Sequence, residues 1–148
     1  MKVIALQENE KRGKTTTLKI LIDIIGHRED ATFVAKRTKY TNSKDTWAIF
    51  NLNGKIVAIT TRGDTRKCIE DDLKNMLKET AHIDVFVCAV HESGQTVECV
   101  NDLSGEDTLL IIGKAYVFCP NDAKLQNSQR AIANAQQAIS IMEAIENI

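Results

Sequence analysis

The hydrophobic positions of this chain come in short runs separated by polar loops, and their spacing switches between strand and helix periods. The opening run, Met1-Lys-Val-Ile-Ala-Leu6, predicts a buried strand over 2–7. Leu18-Lys-Ile-Leu-Ile-Asp-Ile-Ile25 predicts a helix over about 14–26, with Gly26 as its stop signal. Ala31 to Arg37, carrying Phe33 and Val34, reads as a second strand, and a polar, basic segment (38–45, with Lys39, Tyr40, Asn42 and Lys44) follows it. The clearest local signal comes next. Thr46-Trp-Ala-Ile-Phe-Asn-Leu52 and Lys55-Ile-Val-Ala-Ile-Thr-Thr61 flank Asn53-Gly54, a pair that favours the positive φ angles of a two-residue hairpin turn.

The second half continues the alternation. A helix is expected over about 65–80, with Ile69, Leu73, Met76 and Leu77 on its apolar face and Glu70, Asp71, Asp72 and Lys74 opposite. Ile83 to Val90 is nearly all apolar, as a strand covered on both faces should be. A loop at 91–96 leads into a short helix at about 96–103, and Thr108 to Phe118 reads as another apolar strand. The last helix, about 122–147, carries Leu125, Ile132, Ala135, Ile139, Met142 and Ile145 at three- and four-residue steps or their multiples. Strands alternating with helices predict an α/β fold: a three-layer sandwich with a mostly parallel sheet containing one antiparallel hairpin. No repeat or linker divides the chain, so residues 1–148 are expected to form a single domain.

Composition narrows the function classes. With 43% hydrophobic and 26% charged residues and a formal net charge of −1, the chain has an ordinary globular balance. That balance gives no reason to expect bulk attraction to nucleic acid or a membrane. Lys11, Arg12, Lys14 and Lys19 are nevertheless clustered, which suits a small anion better than a long polyanion. Cys68, Cys88, Cys99 and Cys119 form no Cys-x-x-Cys pair, and Cys88 lies inside an apolar run where a buried thiol is expected. No apolar stretch approaches the ~20 residues of a membrane span and no secretory signal is apparent, so a cytoplasmic protein is expected.

The anion-suited cluster coincides with Gly13-Lys14-Thr15-Thr16-Thr17, set between the first strand and the first helix. In that setting Gly13 allows close approach to a phosphate, Lys14 reaches the outer phosphates, and the Thr15 hydroxyl can hold Mg²⁺. A helix N-terminus adds unpaired N–H groups and partial positive charge. The stretch Ile4-Ala-Leu-Gln-Glu-Asn-Glu-Lys-Arg-Gly-Lys-Thr-Thr-Thr-Leu18 resembles the start of P-loop nucleoside triphosphatases, and the hairpin ahead of a loop and helix looks like their small-GTPase branch. The resemblance implies nucleotide binding by Glu10, Lys11, Arg12, Gly13, Lys14, Thr15 and Thr16. One departure is clear: the P-loop glycine six residues before the lysine is replaced by Glu8, which adds negative charge and removes a permissive backbone.

Further candidates lie where strands end. In Thr60-Thr-Arg-Gly-Asp-Thr65, Asp64 is the carboxylate nearest the place where P-loop enzymes support Mg²⁺ or its water, or else it caps the next helix. Arg62 either binds a γ-phosphate or is an ordinary surface residue. The GTPase Asp-x-x-Gly would fall on Thr60–Gly63, so its aspartate is absent. In His91-Glu-Ser-Gly-Gln-Thr96, His91 or Glu92 could position a water or a substrate, while Ser93 or Thr96 could cap a helix. Asn121-Asp122-Ala-Lys124 is no guanine-reading motif and is expected to cap the last helix, which leaves ATP as the default over GTP. The leading expectation is a small Mg²⁺-dependent ATPase using Lys14, Arg62 and Asp64, with Mg²⁺ on Thr15 and Asp64. Two others stand beside it. One is a scaffold of the same fold that has lost nucleotide chemistry and binds a protein partner. The other is a phosphotransferase whose acceptor lies under the 91–96 loop, with 38–45 as its lid.

Overall fold

A computed structural model describes residues 1–7, 14–38, 44–114 and 122–148. Within them the chain runs β1 (Lys2–Gln7), α1 (Lys14–Gly26), β2 (Ala31–Arg37), β3 (Trp47–Leu52), β4 (Lys55–Thr60), α2 (Arg66–Met76), β5 (Val85–Val90), α3 (Gln95–Ser104), β6 (Leu109–Gly113) and α4 (Ala123–Asn147). The six strands form one sheet in the order β2-β3-β4-β5-β1-β6. β5 pairs in parallel with β1 and β4, and β1 with β6; β2·β3 and β3·β4 are antiparallel. The sheet is therefore mixed, not the mostly parallel one expected. The difference comes from β2, which joins the hairpin as a third strand of a meander instead of pairing with a parallel neighbour.

The hairpin forms as its turn residues dictate. Asn53 and Gly54 have φ of 53° and 87°, and Leu52 faces Lys55 across the turn. Asn51 braces it, its Oδ1 accepting from the Gly54 N–H at 2.8 Å. Beyond the other end of the pair, Thr46 and Thr61 add one more rung. Thr61 N–H donates to Thr46 O, and Thr46 N–H to Thr61 Oγ1, both at 3.0 Å.

Successive strand residues point to opposite sides of a sheet, and here they feed two cores. Ile4 and Leu6 of β1 pack with Leu18, Leu21, Ile22 and Ile25 of α1 and with Ala138, Ile141, Met142 and Ile145 of α4. Val3 and Ala5 pack instead with Ile69, Leu73 and Met76 of α2 and with Cys99 and Val100 of α3. All six residues of β5 are buried, which accounts for its unbroken apolar sequence. Cys88, within it, is wholly enclosed, and burial pushes its thiol pKa well up.

Two expected elements are corrected, and a third is described only in part. α2 ends at Met76, so Leu77, expected on the apolar face, is its C-cap and is 47% exposed. β6 is described only to Gly113; Phe118, at the end of the longer run expected, lies outside the described residues. α4 is rotated from its expected face. Its buried residues are Asn134, Gln137, Ala138, Ile141, Met142 and Ile145, whereas Leu125, Ile132 and Ile139 are about half exposed. The rotation follows polar contacts invisible to hydropathy. Thr17 Oγ1 donates to Asn134 Oδ1 at 3.3 Å, and Gln137 Nε2 donates to Gly113 O at 2.6 Å. Burying both amides satisfied draws the neighbouring isoleucines outward.

Candidate functional site

The first-strand lysine motif and the two other candidate loops all lie at the carboxyl ends of β1, β4 and β5. α1, which follows β1, packs in the core shared with α4, whereas α3, which follows β5, packs in the core shared with α2. Adjacent parallel strands whose connections leave toward opposite faces open a crevice at their carboxyl ends, the usual ligand position in open α/β sheets. The β1–β5 pair is such a place.

Lys14 stands in it. It is the first residue of α1, half-buried, and its Nζ donates to Val90 O, the last carbonyl of β5, at 3.2 Å. The ammonium is thus drawn across the crevice from one strand's helix to the other strand's end. Gln7, the last residue of β1, reaches the same loop, its Nε2 donating to His91 O at 3.3 Å and Glu92 O at 3.1 Å. Thr15 follows half-buried and Thr16 exposed in the first turn of α1. The other residues expected at the phosphates (Glu10, Lys11, Arg12 and Gly13) and the departure at Glu8 lie outside the described residues.

Arg62 and Asp64 follow the end of β4, and β4 is not the neighbour of β1, because β5 stands between them. Arg62 points to α2. Its Nε lies 3.3 Å from Asp72 Oδ2 and its Nη2 donates to Cys68 O at 3.4 Å. Asp72 is only 1% exposed and also accepts from Thr60 Oγ1 at 2.6 Å. Thr60 occupies the position of the missing aspartate, so a carboxylate does reach this strand end, delivered by α2 through a hydroxyl. Sequence reading placed Asp72 on the solvent face of α2, and nothing in an i, i+3 pattern distinguishes a buried carboxylate from an exposed one. Asp64 is exposed. The helix cap weighed for it belongs to Thr65, whose hydroxyl accepts from Cys68 N–H at 3.1 Å.

Gly63 fixes this turn against β5. A Cβ placed on it would lie 2.0 Å from Ala89 O, so the segment after β4 lies directly on the β5 backbone, with no room for any side chain. His91 ties the same two strands at their tips. Its Nε2–H donates to Asp64 O at 3.1 Å, so that nitrogen carries a proton. Thr96 braces the loop from within, its Oγ1 accepting from His91 N–H at 2.9 Å. It does not cap α3. Neither does Ser93, since the N-cap is Gly94, with φ of 89° and no side-chain bond. Asp122 does cap α4, its Oδ1 accepting from Leu125 N–H at 2.8 Å.

At the far side of β1, Lys114 follows β6, its N–H donating to Gln7 O at 2.9 Å; its side chain is 8% exposed. No local pattern in the sequence singles it out. The two oxygens expected at Mg²⁺, the Thr15 hydroxyl and the Asp64 carboxylate, are hard donors of the kind the ion takes, but Thr15 lies at the start of α1 and Asp64 after β4, and β5 stands between the strands that precede them. No family model matches the chain, and no curated protein or solved structure matches it either.

Proposed function

We propose that this chain is a small P-loop nucleoside triphosphate-binding protein of the cytoplasm, a Mg²⁺-dependent ATPase built as a three-layer α/β sandwich. The supporting observation is the placement of Lys14 at the first turn of α1, bonded to the end of β5 across the β1–β5 crevice. In this reading the Lys14 ammonium draws the outer phosphates to the start of α1, where the helix dipole and its leading N–H groups favour negative charge. Thr15 and Asp64 would hold Mg²⁺, which neutralises charge developing on the phosphates. His91 and Gly63 hold the Asp64 segment on β5, and Arg62, engaged by Asp72, is a positioning residue for that segment. ATP is the nucleotide of choice, because no guanine-reading motif is present.

A second reading is favoured by the same Arg62–Asp72 pair, which turns the one arginine of this strand end toward α2. It is a scaffold of this fold without nucleotide chemistry. Equilibrium binding of fluorescent ATP and GTP, with and without Mg²⁺, decides between them. Saturable, Mg²⁺-dependent binding that Lys14→Ala abolishes, with an unchanged circular dichroism spectrum, is the expected result. No binding at millimolar nucleotide removes the ATPase reading and leaves the scaffold.

A further inference from the structure

Between the edge strand β2 and the end of α2 lies a cavity of about 490 Å³, away from the β1–β5 crevice. Arg37 pairs with Trp47 across β2 and β3, and Ala35 pairs with Ile49. Arg37, Ala35 and Trp47 therefore share the face of the sheet on which α2 packs. The register slips between Phe33 and Ala35, a bulge of the kind that re-aims side chains on an edge strand. Phe33 lines the same cavity. It is 59% exposed, yet its ring is held edge-on by Phe50, with centroids 6.1 Å apart.

Trp47 also lines the cavity and is only 5% exposed. Its buried indole Nε1–H finds no acceptor among the described residues. A buried tryptophan usually gives that hydrogen to a partner, and native structures leave few buried donors unpaired. The acceptor wanting here is one the chain does not supply. The charges around the cavity select its kind. Lys36, Arg37 and Lys78 line it against a single carboxylate, Glu79, so an arriving acceptor meets a positive surface that favours an anion. The walls select as well. Phe33, Ala35 and the indole offer apolar and aromatic surface, which a bare inorganic anion cannot use and a flat ring can.

We propose that this cavity binds a small aromatic carboxylate, one oxygen accepting the Trp47 Nε1–H and the ring lying against Phe33. Arg37, directly opposite Trp47 in the sheet, balances the ligand's charge. The site is independent of the nucleotide reading, because β4 stands between β3 and the β1–β5 crevice.

The chain has a single tryptophan, so its indole N–H gives one resolved NMR signal. Phenylacetate titrated into the intact chain to millimolar concentration should move that signal downfield and saturably, as an N–H moves on gaining an acceptor. Phenylacetamide, which keeps the ring and loses the charge, should bind about tenfold more weakly, and inorganic phosphate should leave the signal in place. Arg37→Gln, at an exposed position, should weaken phenylacetate about tenfold with an unchanged circular dichroism spectrum. A signal that phenylacetate leaves in place, an equal shift with phosphate, equal affinity for phenylacetamide, or full affinity in Arg37→Gln would each overturn the proposal.

Discussion

Gly63→Ala tests the close packing on which the strand-end geometry depends. The added Cβ would sit 2.0 Å from Ala89 O and 2.8 Å from Ala89 Cβ, and the first of these atoms is backbone of a fully buried strand. Ordinary contact begins near 3.4 Å, so the segment after β4 must retreat by about 1.4 Å or β5 must yield. β5 is held by parallel pairing on both sides, so the retreat falls on residues 61–64. Retreat strains the Arg62–Asp72 pair and the His91–Asp64 bond. Overpacking of this kind costs about 2–3 kcal/mol. At about 2 kcal/mol per molar urea, the unfolding midpoint should fall by about 1–1.5 M. The assay is equilibrium urea unfolding followed by the single tryptophan. Trp47 is buried on β3 and faces Thr60 across the sheet, next to the perturbed segment. A midpoint within about 0.2 M of wild type at unchanged slope, some 0.4 kcal/mol, would refute the close approach and with it the account of how Asp64 is placed.

Asp72→Ala should destabilise by about 3 kcal/mol, since it removes the carboxylate facing the half-buried Arg62 guanidinium and the acceptor of Thr60, and the same urea titration reads it. Ile141→Asp, in the fully enclosed face of α4, should cost about 4 kcal/mol or more, whereas Ile139→Asp, half exposed, should change stability by about 0.5 kcal/mol or less. Hydrogen bonds from the Arg28 guanidinium hold the Asp30 carboxyl down at about 2, below its ordinary 3.8. A group whose folded pKa is depressed stabilises above its unfolded value and loses that contribution as pH falls through the folded one. Asp30→Asn should therefore flatten the loss of stability between about pH 4 and pH 2, measured by thermal unfolding across that range, and should do so only slightly, because the pair is solvent-accessible.

Those elements whose signal is local were legible in the sequence. Asn53-Gly54 specified its turn because few other residue pairs accept two successive positive φ angles, and the apolar spacing of α1, with Gly26 at its end, located that helix. The rotation of α4 was not legible, because the helix carries isoleucines on two faces and the choice between them rests on Asn134 and Gln137 finding Thr17 and Gly113. The same holds at the candidate site. Lys14 was found from its place between strand and helix, a pattern of neighbours in sequence. Asp72 was missed because its meaning comes from Thr60 and Arg62, brought together by tertiary packing. β2 joining the meander and β5 separating β4 from β1 are likewise choices of pairing partner, which no single strand's sequence encodes.

The position of β1 between β5 and β6 has a kinetic consequence. Its partners begin at Val85 and Leu109, roughly eighty and a hundred residues further along the chain, whereas β2, β3 and β4 pair with their immediate successors. Closing loops of that length is slow compared with zipping a meander, so the three local strands are able to form first and β1 docks late. Until then Val3-Ile-Ala-Leu6, enclosed on every side in the finished sheet, is an apolar strand without neighbours, the kind of segment that seeds aggregation. The residues that bring Lys14 to its crevice are thus among the last to be fixed, and the candidate site is assembled only as folding finishes.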